Sequence, residues 1–270
     1  MEVRKTYKLF VNGEFVRSES GRTYRPDGNV NVPRGSRKDL RDAVRAARAA
    51  FSGWAARTAM NRGQILYRAA EMLDSRAAQF ADLIGGGARA RREVELAVET
   101  LVWYAGWTDK LPQVAGTVNP VAGPYFNFTL PEPTGVVGVV APEEPVLAGL
   151  VKRLAPALCG GNVVVALAPE LRPLAALTLA EVFATSDFPA GVVNVLSGFR
   201  KELLSWLAAH VDVNAIDASG CTPEQLVAVQ EAAAANVKRI LAGNGSRGRL
   251  SPQAITDLME MKTVWHPIGV

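Results

Sequence analysis

Residues 135–167 read GVVGVVAPEEPVLAGLVKRLAPALCGGNVVVAL, and this stretch decides the architecture. Val136–Ala141 and Val163–Leu167 are near-continuous apolar runs without polar alternation, as expected of strands buried on both faces. Val146–Leu158, between them, has the length and composition of a helix. The alternation continues downstream. Leu174–Thr185, Lys201–Ala209 and Pro223–Ala235 read as helices, and Val192–Leu196, Ala215–Ile216 and Val237–Leu241 as strands. Strands of this kind, separated by helices and joined by right-handed crossovers, predict an α/β fold with a doubly wound parallel sheet clad on both faces. Such sheets bind ligands beyond the carboxyl ends of their strands, which singles out Ala141–Val146, Leu167–Glu170 and Asp217–Cys221.

Upstream the texture differs. Leu9–Val11 and Glu14–Arg17 flank Asn12-Gly13, a dipeptide that tolerates positive φ and suits a tight hairpin. Ser36 and Asp39 are spaced as a capping box, and Leu40, Val44, Ala47 and Phe51 form one helical stripe after them. A second helix is expected through Ile65, Ala69, Met72, Phe80 and Leu83, ending at Gly85-Gly86-Gly87, and a third from about Glu93 to Asp109. Val118–Leu130, rich in β-formers and broken by Gly123-Pro124, reads as a hairpin.

The chain has 270 residues, 49% of them hydrophobic and 21% charged, which excludes a disordered tail, a collagen-like rod and a disulfide scaffold. The formal net charge is +4. Its basic residues concentrate in the segment from Arg34 to Arg92, but they are spaced along amphipathic helices without an interleaved aromatic platform. That spacing predicts solvated helix faces and no nucleic-acid partner. Cys159 and Cys221 are too few for a disulfide framework and fit a reducing compartment. The opening residues carry no apolar core of a signal peptide, and no apolar run is long enough for a membrane span, so the expected location is cytoplasmic.

Few residue constellations suggest chemistry. Gly243, Gly245 and Gly248 match a GxGxxG pattern, but after the last strand of the series rather than the first, so a connector is the expected reading. Cys159 closes an apolar helix. Cys221 lies at the ligand edge near Asp217 and Glu224, whose charge opposes thiolate formation. His210 and His266 have no partner at ligand spacing, so no metal site is expected. Glu143-Glu144 reads as a solvated acidic loop.

The segments KLFVNGEF (8–15), DLRDAVRAARAAFSGWA (39–55) and TLVWYAGWTDKL (100–111) resemble, in order, segments of the aldehyde dehydrogenase superfamily. So do EPTGVVGVVAP (132–142), KRLAPALCGGNVVVALAPE (152–170), DFPAGVVNVLSG (187–198) and NVKRI (236–240). The similarity runs over nearly residues 7–243 and resumes in LMEMKTVWHPIG (258–269), which is similar to the family's final strand. Between these parts the family carries a catalytic domain with its nucleophilic cysteine, on the order of 150–200 residues. Here only the stretch 244–252 intervenes.

The resemblance implies an aldehyde-dehydrogenase-like fold in five parts. Residues 1–117 are an N-terminal helical part, 118–131 an oligomerisation hairpin, and 132–243 a Rossmann-type core. Residues 244–252 form a connector in place of the catalytic domain, and 253–270 hold an oligomerisation strand. It implies NAD or NADP as cofactor, with Glu170 at the ribose and Ser219 at the pyrophosphate as the surviving cofactor-binding residues. It also implies losses: Glu144 stands where the family has an oxyanion-hole Asn, Gly243 where it has a general-base Glu, Leu167 where it has a ribose-binding Lys, and Asp217 enters the pyrophosphate turn. No catalytic residue is expected. Two readings follow. One is a non-catalytic subunit that pairs with a full-length aldehyde dehydrogenase, or with itself. The alternative is an NAD(P)-dependent oxidoreductase converting aldehydes to carboxylic acids with a degenerate site.

Overall fold

The structure is a computed structural model and describes residues 5–26, 30–242 and 250–269. Four short strands come first: β1 (Leu9–Val11), β2 (Glu14–Val16), β3 (Thr23–Tyr24) and β4 (Val32–Pro33). Five helices follow: α1 (Arg37–Ala55), α2 (Ala59–Asp74), α3 (Ala77–Leu83), α4 (Gly87–Ala105) and α5 (Leu111–Ala115). Strands β5 (Thr117–Asn119) and β6 (Tyr125–Pro133) lead to the alternating half. That half comprises β7 (Val136–Val140), α6 (Ala148–Cys159), β8 (Val163–Leu167), α7 (Leu174–Ala184) and β9 (Val193–Leu196). It continues with α8 (Arg200–Ala209), β10 (Ala215–Asp217), α9 (Pro223–Ala234) and β11 (Arg239–Leu241), and the chain closes with α10 (Gln253–Thr256) and β12 (Met259–Pro267).

The doubly wound sheet is present, with strand order β11-β10-β7-β8-β9-β1-β2. Its five central strands are parallel, and every residue of β7 and β8 is buried. The hairpin β1–β2 extends the same sheet antiparallel to β9, which sequence periodicity does not reveal. Asn12 and Gly13 take φ of 54° and 78°, closing the hairpin, and the Asn12 amide donates to Asn194 Oδ1 of β9 at 3.0 Å. That bond joins the hairpin to the core across 182 residues of chain.

Ser36 and Asp39 form the capping box of α1. The stripe Leu40, Val44 and Ala47 is buried, with Trp54 deeper than the half-buried Phe51. The single helix expected through residues 65–83 is two, α2 and α3. The Ser75 hydroxyl donates to the Met72 carbonyl at 2.9 Å, a local bond that competes with the helical ladder. Helix α4 starts at Gly87 and stops at Ala105, earlier at both ends than its apolar periodicity suggests.

A second sheet, ordered β12-β6-β5, stands apart from the first. All nine residues of β12 pair antiparallel with β6. The segment leading into β12 is seated on the core. Ile255, Leu258 and Met259 are buried, and the Met259 sulfur lies 2.8 Å from where a Cβ on Gly160 would sit. Asn162 ties the two sheets together: its Oδ1 accepts from the Gly135 amide at 2.9 Å and its Nδ2 donates to the Leu258 carbonyl at 3.0 Å.

Leu207 of α8 lies across Gly138 of β7, its carbons 3.1–3.2 Å from the position of an added Cβ. Leu207→Ala is expected to lower the unfolding free energy by about 2–5 kcal/mol. The measurement is urea denaturation, with a reduced midpoint at unchanged slope.

Candidate functional site

Because the central strands are parallel, the helices that follow them start at one common edge of the sheet. The order β9-β8-β7-β10-β11 places the switch of direction between β7 and β10, where doubly wound sheets open their ligand crevice. Here the loop after β10 folds over the end of β7. A Cβ on Gly220 would lie 2.3 Å from the Val140 carbonyl oxygen and 2.5 Å from that of Ala141, so only glycine permits the approach.

Arg200, the first residue of α8, spans the two lips. Its Nη1 donates to the Gly220 carbonyl at 2.8 Å and its Nη2 to the Ala141 carbonyl at 2.5 Å. Nη2 is also 2.8 Å from Glu143 Oε1. The Arg200 side chain is 6% exposed and that of Glu143 33%, so the guanidinium is the buried member of the pair. The Glu143 carboxylate is further engaged, with Oε1 accepting from the Glu170 amide at 2.8 Å and Oε2 from the Leu171 amide at 3.1 Å. Removing one member of a fully buried pair costs about 3–5 kcal/mol, and the exposure of Glu143 sets this pair toward the lower end.

Glu170 lies just beyond β8. Its Oε2 accepts from the Arg200 amide at 2.8 Å, satisfying a free N–H at the start of α8, where the helix dipole favours an anion. Its own carbonyl accepts from the Tyr24 hydroxyl at 3.2 Å. Burial pushes the Tyr24 phenol well above its ordinary range, and the charges of Glu170 and Glu143 add to the shift. Ser219 lies in the turn after β10. Its amide donates to Asp217 Oδ1 at 3.0 Å, its hydroxyl bonds the same oxygen, and Arg153 Nε of α6 donates to Ser219 Oγ at 3.0 Å. Arg153 also pairs with Asp217 at 3.7 Å. Glu170 and Ser219 are therefore linked through Arg200, which bonds the one by its amide and the neighbour of the other by its guanidinium.

Helix α6, which follows β7, starts at the same edge. Glu93 Oε1 of α4 accepts from the Leu147 amide at 2.8 Å and the Ala148 amide at 3.3 Å. Helix α9 carries its own capping box, Thr222 with Gln225. Glu144 pairs with Arg172. Arg172 Nη2 in turn donates to the Ile84 carbonyl at 2.8 Å. At this position a carboxylate accepts hydrogen bonds and cannot donate one to a developing oxyanion.

The residues at this edge do not fit a dinucleotide. Helix N-termini that would receive a diphosphate hold the carboxylates of Glu93 and Glu170, Asp217 at the end of β10 already accepts from the Ser219 amide in the turn before α9, and a guanidinium crosses the crevice. Leu167, at the end of β8, is buried and offers no polar atom from its side chain. Gly243 and the GxGxxG pattern lie outside the described residues, as does most of the stretch 244–252. Among the described residues no group of three or more His, Cys, Asp or Glu is placed to hold a metal ion. Nor is any helix among them long and apolar enough to cross a membrane. Glu93, Arg153 and Arg200 escape sequence reading. For Arg200 the only signal is an arginine two residues past Gly198 at a ligand edge, and for Glu93 there is none, because it arrives from another helix.

Comparison with known proteins puts this geometry in context. The model of the aldehyde dehydrogenase family matches residues 23–261. The chain is 34% identical over 262 residues to retinal dehydrogenase 2 of Gallus gallus, covering 92% of this chain and 50% of that protein. It is 32% identical over 249 residues to omega-crystallin of Enteroctopus dofleini, covering 87% and 50%. Among solved structures, HpcC from Thermus thermophilus superposes with a TM-score of 0.83 at 31% identity, over 88% of this chain and 48% of that one. The NAD+ complex of an aldehyde dehydrogenase from Bacillus cereus gives 0.80 at 29% identity, over 88% and 50%. The chain thus spans about half the length of the relatives it matches.

Cys221 sits beside the crevice, half-buried. Burial pushes its thiol up to about 11, opposed by Arg200 and aided by Asp217. In the unfolded chain the thiol ionises near its ordinary value of 9.0. At pH 9 the native thiolate fraction is therefore on the order of one per cent against about half when unfolded. Iodoacetamide at pH 9 is expected to alkylate Cys221 at least tenfold more slowly in the native protein than in urea, as read by peptide mass spectrometry.

Proposed function

Because the chain belongs to the aldehyde dehydrogenase family, we propose that it acts as a non-catalytic subunit, docking through its three-stranded sheet onto a full-length member of that family. The observation that carries this reading is the sheet β12-β6-β5. Strand β12 pairs with β6 on one side over nine residues, and its other side is an edge of the sheet. Edges of this length invite strand addition by another chain. Register puts Val118, Phe128 and Val264 side by side, with Phe126 and Leu130 on the same face. Val118, Phe126 and Leu130 are exposed, and together with Pro112 and Gly116 they line an open groove of about 320 Å³. On the opposite face Tyr125 and Trp265 meet edge-on at 5.7 Å, both exposed. An apolar surface of this size facing water calls for a cover.

The family resemblance supplies the cover, the edge of a partner's catalytic domain. Between β11 and α10 this chain has only residues 242–252, too few for a domain that would carry such an edge. A pair with a complete family member therefore satisfies the strand better than a pair of identical chains. The absence of a role in chemistry rests on Glu144 in its ion pair with Arg172, on Gly243 at the base position, and on the dinucleotide edge described above.

Co-expression with a full-length aldehyde dehydrogenase, followed by size-exclusion chromatography, tests the reading. The two chains are expected to elute together. The double variant Val118→Glu with Phe126→Glu is expected to separate them. It should shift the stability of the isolated chain by only about 0.5 kcal/mol, because both side chains are exposed. Separate peaks for the unaltered pair would overturn the proposal.

A further inference from the structure

We propose that the switch-point crevice of this chain is self-ligated: its own carboxylates and two arginines take the places of a dinucleotide, and Arg200 is the clasp that holds the β10–β11 half of the sheet to the β7–β8–β9 half. This stands independently of the subunit reading, since it concerns the isolated chain.

Four observations converge. The helix N-termini at this edge are sources of partial positive charge, and α6 and α8 each meet a carboxylate from elsewhere in the chain, Glu93 and Glu170. The third acid, Asp217, turns its oxygen to the Ser219 amide in the turn before α9, where an anion would otherwise accept that bond. The Arg200 guanidinium bridges Ala141 beyond β7 to Gly220 beyond β10, and its charge is met by Glu143 from the β7 side. Arg153, on the helix after β7, reaches the same β10 turn through Ser219 and Asp217. Both arginines thus tie one side of the crevice to the other.

Phosphate oxygens entering here would have to displace carboxylates already bonded to the amides, and a ligand crossing between β7 and β10 would have to displace a guanidinium that is 6% exposed and bonded to two carbonyls. A ligand bound at the switch point of an open doubly wound sheet touches both halves and so bridges them. In this chain the bonds of Arg200 and Arg153 do so permanently. Tyr24 and Phe199 close the flank, their rings 5.0 Å apart, with the Tyr24 hydroxyl on the Glu170 carbonyl.

The test has two arms on the purified full chain. Calorimetric titration with NAD and with NADP at millimolar concentration is expected to give no saturable heat, and neither nucleotide is expected to raise the melting temperature. Saturable binding of either nucleotide within that concentration range would overturn the proposal. In the second arm, hydrogen exchange is compared between the wild type and Arg200→Ala. Amides of Ala215–Asp217 and of the first turn of α9 are expected to exchange roughly tenfold faster in the variant, with β8 and β9 unchanged. Unchanged exchange in β10, or a uniform rise throughout the sheet, would refute the clasp. Should Arg200→Ala not fold, Glu143→Gln removes the ionic partner while leaving both carbonyl bonds of Arg200, and the same local acceleration is expected at smaller amplitude. Failure of the subunit reading would appear as separate chromatographic peaks and leave these readouts untouched.

Discussion

Two parallel strands buried on both faces set the terms for the rest of the molecule. β7 and β8 have no exposed residue, so helices must clad them, and parallel connection makes those helices start at a single edge. Unpaired amides and dipole ends then gather at that edge, and each needs an acceptor. A fold of this kind either meets that need with a bound anion or supplies the acceptors itself. This chain supplies them, with Glu93, Glu143 and Glu170 on amides, and then needs cations to offset the acids it has imported. Arg200 and Arg153 answer that second need. The acidic pair of the loop after β7 is thus divided: Glu143 is structural within the crevice, while Glu144 lies outward against Arg172.

A member of the aldehyde dehydrogenase family that spans half of its relatives' length keeps two things intact. One is the core sheet with its N-terminal helices, cemented by Asn194 to the first hairpin and by Asn162 to the last strand. The other is the projecting sheet, whose β12 is as long as β6 and fully in register with it. The core stabilises itself by closing its crevice, and the projecting sheet leaves aromatic and aliphatic surface in water. That contrast is the physical basis for the proposal that this protein works at a surface rather than in a cleft.

The apolar runs of the alternating half were legible because a doubly covered parallel strand has to be apolar at every position, and Val136–Val140 and Val163–Leu167 are. Asn12-Gly13 and Ser36 with Asp39 were legible because positive φ and free helix amides constrain residue type locally. The break at Ser75 was hidden, since the apolar stripe runs on past it and only the back-bond to Met72 interrupts the ladder. Joining β1 to β9 was hidden too, because antiparallel addition at a sheet edge leaves no period in the sequence.

Local chain chemistry was enough to place the alternating strands and helices of the second half, to show the family, and to put Glu170 and Ser219, with Asp217 and Glu144, at the ligand edge. Those are consequences of local chain chemistry and of order along the chain. What those side chains bond follows from the packing of helices on the sheet. Glu93 reaches α6 from 54 residues upstream, and Arg200 reaches Ala141 across 59. Partnerships over such separations are fixed by how helices pack on a sheet, a three-dimensional outcome that no spacing along the chain encodes.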